Sequence, residues 1–148
     1  MTKQEFLIEL IKKRKLLDVE PSKNIKNSYL KKSESRLISA KILFDNNRLE
    51  ESFSLAYYSM YHSVTALFFK MGIKCENHSA TIMLLKDIFD IDNSQISFAK
   101  SERVDKQYYT DFKITQEQVK ESIVIAEEFN FFIINFISKL NNNSVINY

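Results

Sequence analysis

Residues 49–71 read LEESFSLAYYSMYHSVTALFFKM, and Gly72 follows. Leu49, Phe53, Ala56, Met60, Val64, Leu67 and Met71 recur three or four residues apart, the period of one helical face. A second stripe of Tyr57, Tyr61, Val64 and Phe68 lies beside it. A third, of Leu55, Tyr58, Ser59, His62, Ala66 and Phe69, covers much of the remainder. A helix that is apolar or aromatic nearly all round is enclosed, either at the centre of a bundle or in an oligomer interface. Gly72 is the residue a left-handed C-terminal cap calls for, so the helix is predicted to stop there.

Working outward, Ser22 to Asn46 carries Leu30, Ser33, Leu37, Ala40 and Phe44 on one face, and Asn46-Asn47 reads as a short break. Before it, Thr2–Leu17 is expected as a first helix. Thr2 and Glu5 form its capping box, and Phe6, Leu7, Leu10, Ile11 and Leu17 form its stripe. Asp18–Ser22 holds the only proline and reads as a loop. After Gly72, helices are expected from about Ser79 to Phe89 and from about Ser94 to Tyr109, with a break over Tyr108–Ile114. Thr115 caps a last helix running to about Asn141, seamed by Val119, Ile123, Ala126, Ile133, Ile137 and Leu140. The polar tail Asn141–Tyr148 is expected to fray. One Gly and one Pro in 148 residues leave little material for the tight turns of a sheet protein. The expected fold is all-α: an up-and-down four-helix bundle with a short additional helix, one domain over residues 1–148.

A chain that is 45% hydrophobic and 27% charged can bury a core and is not disordered in composition. The single cysteine, Cys75, excludes an internal disulfide and fits a reducing cytoplasm. No apolar run reaches the roughly 20 residues a membrane span needs, and the first residues do not open a signal peptide. A cytoplasmic protein with no membrane partner is therefore expected. Residues 1–48 carry 12 Lys and Arg against 6 Asp and Glu, while the rest carry 9 against 13. A basic third suits an acidic partner such as RNA. Its cations are spread and lack interleaved aromatics, so solvated outer helix faces are the expected reading.

Few residues offer chemistry. His62, His78 and Cys75 match no zinc spacing, and neither a metal nor a cofactor is expected. No glycine-rich phosphate loop exists, since Gly72 stands alone. His62 follows Tyr58 by one turn, so their side chains can touch. On the residues alone, a satisfied core or interface histidine is the plainer reading, and a ligand-facing imidazole the sharper one.

The run from Ala56 to Phe68, the following Gly72, the Asn77-His78-Ser79 triplet, Arg103 five residues before Tyr108, and Ala126-Glu127-Glu128-Phe129 together resemble the HEPN domain family. The likeness is to the small stand-alone prokaryotic members, relatives of HEPN toxins paired with minimal nucleotidyltransferases, and it covers about Ser28 to Leu140. It implies a four-helix up-and-down bundle with a short extra helix. It also implies metal-independent RNase chemistry in active members, from an arginine and a following histidine with four to six residues between them, often in a cleft between two protomers. Arg103 is carried over as that arginine. The positions where the histidine would stand hold Tyr108, Tyr109 and Thr110, so the nuclease motif is broken. A tyrosine near pKa 10 is a poor acid–base group at neutral pH. An arginine can still hold phosphate bidentately, and a tyrosine can stack a base.

The resemblance thus implies an RNA- or nucleotide-binding module, acting as a homodimer beside a minimal nucleotidyltransferase in a toxin–antitoxin-like setting. Arg103 and Tyr108 are its candidate catalytic positions, and Tyr58, His62, His78 and Tyr109 its candidate ligand-binding positions. Two other readings stand beside it. One is a weak RNase that borrows an imidazole from His62 or His78. The other is a non-catalytic structural protein.

Overall fold

In the computed structural model the described residues are 1–108 and 113–140, with side chains described for 1–103 and 113–140. The expected tail, 141–148, lies outside them. Six helices and one short ribbon follow in the order α1 (Lys3–Lys12), β1 (Leu16–Asp18), α2 (Lys23–Asp45), α3 (Leu49–Met71), β2 (Ile73–Cys75), α4 (His78–Phe89), α5 (Ser94–Tyr108) and α6 (Gln116–Lys139). The fold is a helical bundle, as the periodicity predicts.

The helix α3 is the axis of the bundle. It packs on α2, α6, α5, α4 and β2, and 12 of its 23 residues are buried, which is why all of its faces had to be apolar. Its serines let the neighbouring backbones approach. Ser52 Oγ donates to the Ala40 carbonyl at 2.6 Å. Ser33 Oγ of α2 donates to the Ser59 carbonyl at 2.7 Å, and Asn130 Nδ2 of α6 donates to Ser59 Oγ at 2.6 Å. These buried donors are thereby satisfied across α2, α3 and α6 rather than within one helix, while Asn130 Oδ1 is buried without a hydrogen-bond partner among the described residues.

Helix ends follow local chemistry. Thr2 and Glu5 close the expected capping box, and Thr115 and Gln118 close a second one at α6. Asn47, with φ of 59°, turns the chain between α2 and α3. Gly72 caps α3 at φ 79°, and a Cβ there would stand 2.5 Å from the Val19 carbonyl oxygen. α4 starts one residue before the expected Ser79, because Asn77 is its cap and accepts from the Ala80 N–H at 2.9 Å.

One expectation is corrected. The first helix does not run to Leu17; it ends at Lys12. Arg14 adopts φ of 58°, its N–H bonds to the Ile11 carbonyl, and the Lys15 N–H bonds to the Leu10 carbonyl. This is a Schellman closure with arginine where glycine is usual. Leu16–Asp18 then pairs antiparallel with Ile73–Cys75, in the register Leu16 with Cys75 and Asp18 with Ile73. The Val19 N–H to Gly72 carbonyl bond, 2.8 Å, and the Glu76 N–H to Lys15 carbonyl bond, 2.8 Å, extend the ribbon at both ends. It anchors the segment between α3 and α4, and so the place where His78 stands.

Among the described residues no helix is long and apolar enough to cross a membrane.

Candidate functional site

The middle of α3, the first turn of α4 and the middle of α5 meet at one cluster. Tyr57, Tyr58, Tyr61 and His62 come from α3, His78 is the first residue of α4, and Arg103 comes from α5. The spacing of α3 places Tyr57 one turn before Tyr61, and Tyr58 one turn before His62. His78 lies between the tyrosines. Its Nδ1 is 2.9 Å from the Tyr57 hydroxyl, and its ring stacks on Tyr61 with centroids 3.8 Å apart. Tyr58 meets the same imidazole edge-on at 6.2 Å. The Tyr61 hydroxyl is 3.3 Å from Thr81 Oγ1, which fixes that ring against α4.

Arg103 completes the cluster. Its guanidinium lies 5.3 Å over the Tyr57 ring and 5.1 Å over the Tyr58 ring. A cation held between two π faces keeps its charge and loses rotamer freedom. The side chain lines a cleft of about 440 Å³ with Tyr58, Ser54, Leu55, Glu50 and Glu51. The two carboxylates form the wall at the start of α3, and Glu51 is tied to Arg48 at 3.1 Å.

Burial sets the protonation states. It raises the Tyr57 phenol well above the usual tyrosine range, with Arg103 partly opposing, and pushes Tyr61 up to about 12. Burial also pushes His62 down to about 4, helped by the cations Arg36 and Lys32 and by His78. His78 is lowered for the same first reason, followed by Arg103 and Lys100. At neutral pH both imidazoles are neutral and both phenols protonated. Arg103 is the fixed charge of the cluster.

The residues expected from the sequence as Tyr58, His62, His78 and Arg103 are thus brought together. Tyr108 ends α5, but its side chain, like all of Tyr109, lies outside the described residues. No group of three or more His, Cys, Asp and Glu side chains able to hold a metal occurs among the described residues.

Sequence reasoning missed Tyr29. This α2 residue stacks on Phe69 at 5.6 Å and 7°, stands 5.7 Å from His62, and carries the Lys32 ammonium 4.8 Å over its ring. The basic stretch therefore does interleave an aromatic. The signal was present in the spacing Lys26, Tyr29, Lys32, Arg36, which follows a face of α2 other than the one read as its core stripe.

Residues 27–136 match the family model of the HEPN domain, a range that runs from the first turns of α2 to near the end of α6 and holds every described member of the cluster. The chain belongs to the HEPN domain family. Two relatives are similar to it. The UPF0332 protein PH1297 of Pyrococcus horikoshii is 41% identical over 56 residues, 38% of this chain and 39% of that protein. The match thus spans well under half the length of the Pyrococcus protein. A Methanocaldococcus jannaschii protein named "Putative toxin MJ0605" is 28% identical over 104 residues, 66% of this chain and 77% of its own.

In this HEPN domain no histidine follows Arg103 on its own helix. The structure nonetheless sets an imidazole, that of His78, against the same tyrosine as Arg103. What the arrangement can do is hold an anion at the guanidinium, offer ring faces for stacking, and place a neutral imidazole one phenol away.

Proposed function

We propose that this HEPN domain is an RNA-binding module, with Arg103 as its phosphate-holding residue. The observation that carries the reading is the guanidinium fixed over Tyr57 and Tyr58 at the edge of a cleft. A cation whose rotamer is already restricted binds an oxyanion with less loss of entropy than a mobile one. Arginine offers the paired donors that match a phosphate. RNA rather than a lone nucleotide is favoured by the cations of α2 that continue from the cluster.

The partners belong to the same proposal. The domain works as a homodimer beside a minimal nucleotidyltransferase, in a toxin–antitoxin-like system. Similarity to a protein named as a toxin candidate supports the setting. Exposed Phe131 and Phe132 on α6 support a protein partner of some kind.

A second reading, metal-independent cleavage, is favoured by one observation: His78 shares Tyr57 with Arg103. A neutral imidazole can accept a proton from a 2′-hydroxyl while the arginine stabilises the phosphorane charge.

Both readings meet the same experiment. Fluorescence anisotropy of a labelled single-stranded RNA at low salt should show binding that Arg103→Ala weakens at least tenfold and Arg103→Lys weakens less. Absence of binding by the wild-type protein sinks the proposal. Incubation of the RNA with chelator then tests cleavage, which must disappear in both Arg103→Ala and His78→Gln if the second reading is right.

A further inference from the structure

The cluster around Arg103 does not end at His62. Centroid by centroid, rings continue along the groove between α2 and α3: Tyr58 to His62 at 6.3 Å, His62 to Tyr29 at 5.7 Å, and Tyr29 to Phe69 at 5.6 Å. From Tyr58 to Phe69 the axis of α3 rises about 16 Å. That length matches about five nucleotides stacked at steps of ~3.4 Å.

Cations run beside the rings. Lys26, Lys32 and Arg36 follow one another at steps of six and four residues on the face of α2 that carries Tyr29. Burial disfavours the charge of Lys26 first and the neighbouring Lys70 of α3 adds to it, and His62 is held neutral by burial first and then by Arg36 and Lys32. Like charges gathered on one face repel one another unless an anion separates them. Among the described residues no carboxylate forms an ion pair with Lys26, Lys32 or Arg36, whereas Lys41, at the α6 side of α2, is paired with Glu127 at 3.1 Å. Past Arg103, Glu50 and Glu51 wall the cleft. A polyanion lying along the groove would meet positive charge until it reached Arg103 and negative charge beyond it.

We propose that the α2/α3 groove is a track for single-stranded RNA, in which Lys26, Lys32 and Arg36 hold phosphates beside a floor of Tyr29, His62 and Tyr58 and bring the strand to Arg103. This rests on the RNA-binding reading above and adds the path and the strandedness. Bases stack on exposed ring faces only when unpaired, so a duplex would present charge to the track but nothing to its rings. Lys32 rests over the Tyr29 ring. Its flexible stem can swing to a phosphate and give that face to a base.

The test uses the full chain and a labelled 12-nucleotide oligouridylate, titrated between low and moderate salt. The Lys26→Glu/Lys32→Glu double variant should weaken binding at least tenfold and flatten the salt dependence, by about 0.7 in log–log slope for each phosphate no longer held. Lys41→Glu makes a single charge reversal off the track and should stay within twofold. Tyr29→Leu keeps apolar bulk on Phe69 and should cost about tenfold without flattening the slope. If Arg103→Ala abolishes binding while the double variant behaves like Lys41→Glu, the track is wrong and the Arg103 site stands. If the wild-type protein does not bind the oligouridylate, both fail. Tighter binding of a duplex, or of the deoxy strand of equal length, overturns the ligand assigned. Displacement of the RNA by polyglutamate at equal charge would reassign the groove to an acidic protein segment.

Discussion

His62 is surrounded by groups that oppose its protonation. Burial against the rings of Tyr29, Tyr58 and Tyr61 takes part of the water from around it, Arg36 and Lys32 face it from α2, and His78 from α4. Its Nδ1 is buried without a hydrogen-bond partner among the described residues. The folded-state pKa of about 4 lies below the unfolded value of 6.5. Above pH 6.5 both states are neutral and the shift has no effect. As pH falls from 6.5 towards 4, only the unfolded chain takes up the proton, so stability is lost across that window. After solvent screening the loss is on the order of 1 kcal/mol. His78, lowered in the same direction, adds to it. Urea midpoints at pH 7.5 and 5 should differ for the wild type and differ less for His62→Gln. An equal difference in the variant would show that His62 is not the group responsible. Neither the depressed pKa nor its cause is legible from residues 57–62 alone, because the responsible cations come from α2 and the second imidazole from α4.

At the scale of elements, the turn from α3 to β2 is the most constrained. Gly72 needs a positive φ, and the Val19 carbonyl and Pro21 ring occupy the space a Cβ would take. Gly72→Ala therefore adds a left-handed penalty of about 1–2 kcal/mol to a contact that backbone must yield to relieve. The expected total is about 2–4 kcal/mol, or a melting temperature lower by roughly 5–10 °C. A melting temperature within a degree of wild type would refute the close approach. Gly72 was readable as a cap, since glycine at the end of an apolar periodic run has one common use. The strand facing it was not. Leu16 and Leu17 continue the spacing of Leu10, and nothing in Lys13-Arg14-Lys15 announces that an arginine takes the left-handed position. Elements longer than six turns, such as α2, α3 and α6, are legible because many periods agree; a three-residue ribbon offers one and a half.

For the molecule as a whole, the first 21 residues contribute little to the core, with Leu10 their only fully buried hydrophobic among the described residues. A chain beginning at Ser22 keeps the α2 cap and should melt cooperatively with a helical spectrum, at a lower temperature. In that chain Gly72→Ala should cost only the left-handed penalty, about 1–2 kcal/mol, because Val19 and Pro21 are gone. An undiminished cost would locate the strain elsewhere. The same view explains what the sequence showed of the site. Residues one turn apart on α3 could be paired by spacing. The approach of Arg103 to Tyr57, or of Tyr29 to His62, depends on how separate helices pack, and no local pattern contains it.

The amide of Asn130, seated on Ser59, has a last consequence. Apolar helices with repeating faces can interdigitate in more than one register, each a turn of about 5.4 Å from the next. Sliding α6 by one turn would leave an amide and a hydroxyl buried and unmatched, at about 1–3 kcal/mol for each. The pair acts as a peg that excludes out-of-step packings, whatever it adds to stability. It fixes where the start of α6 arrives against the centre of α3.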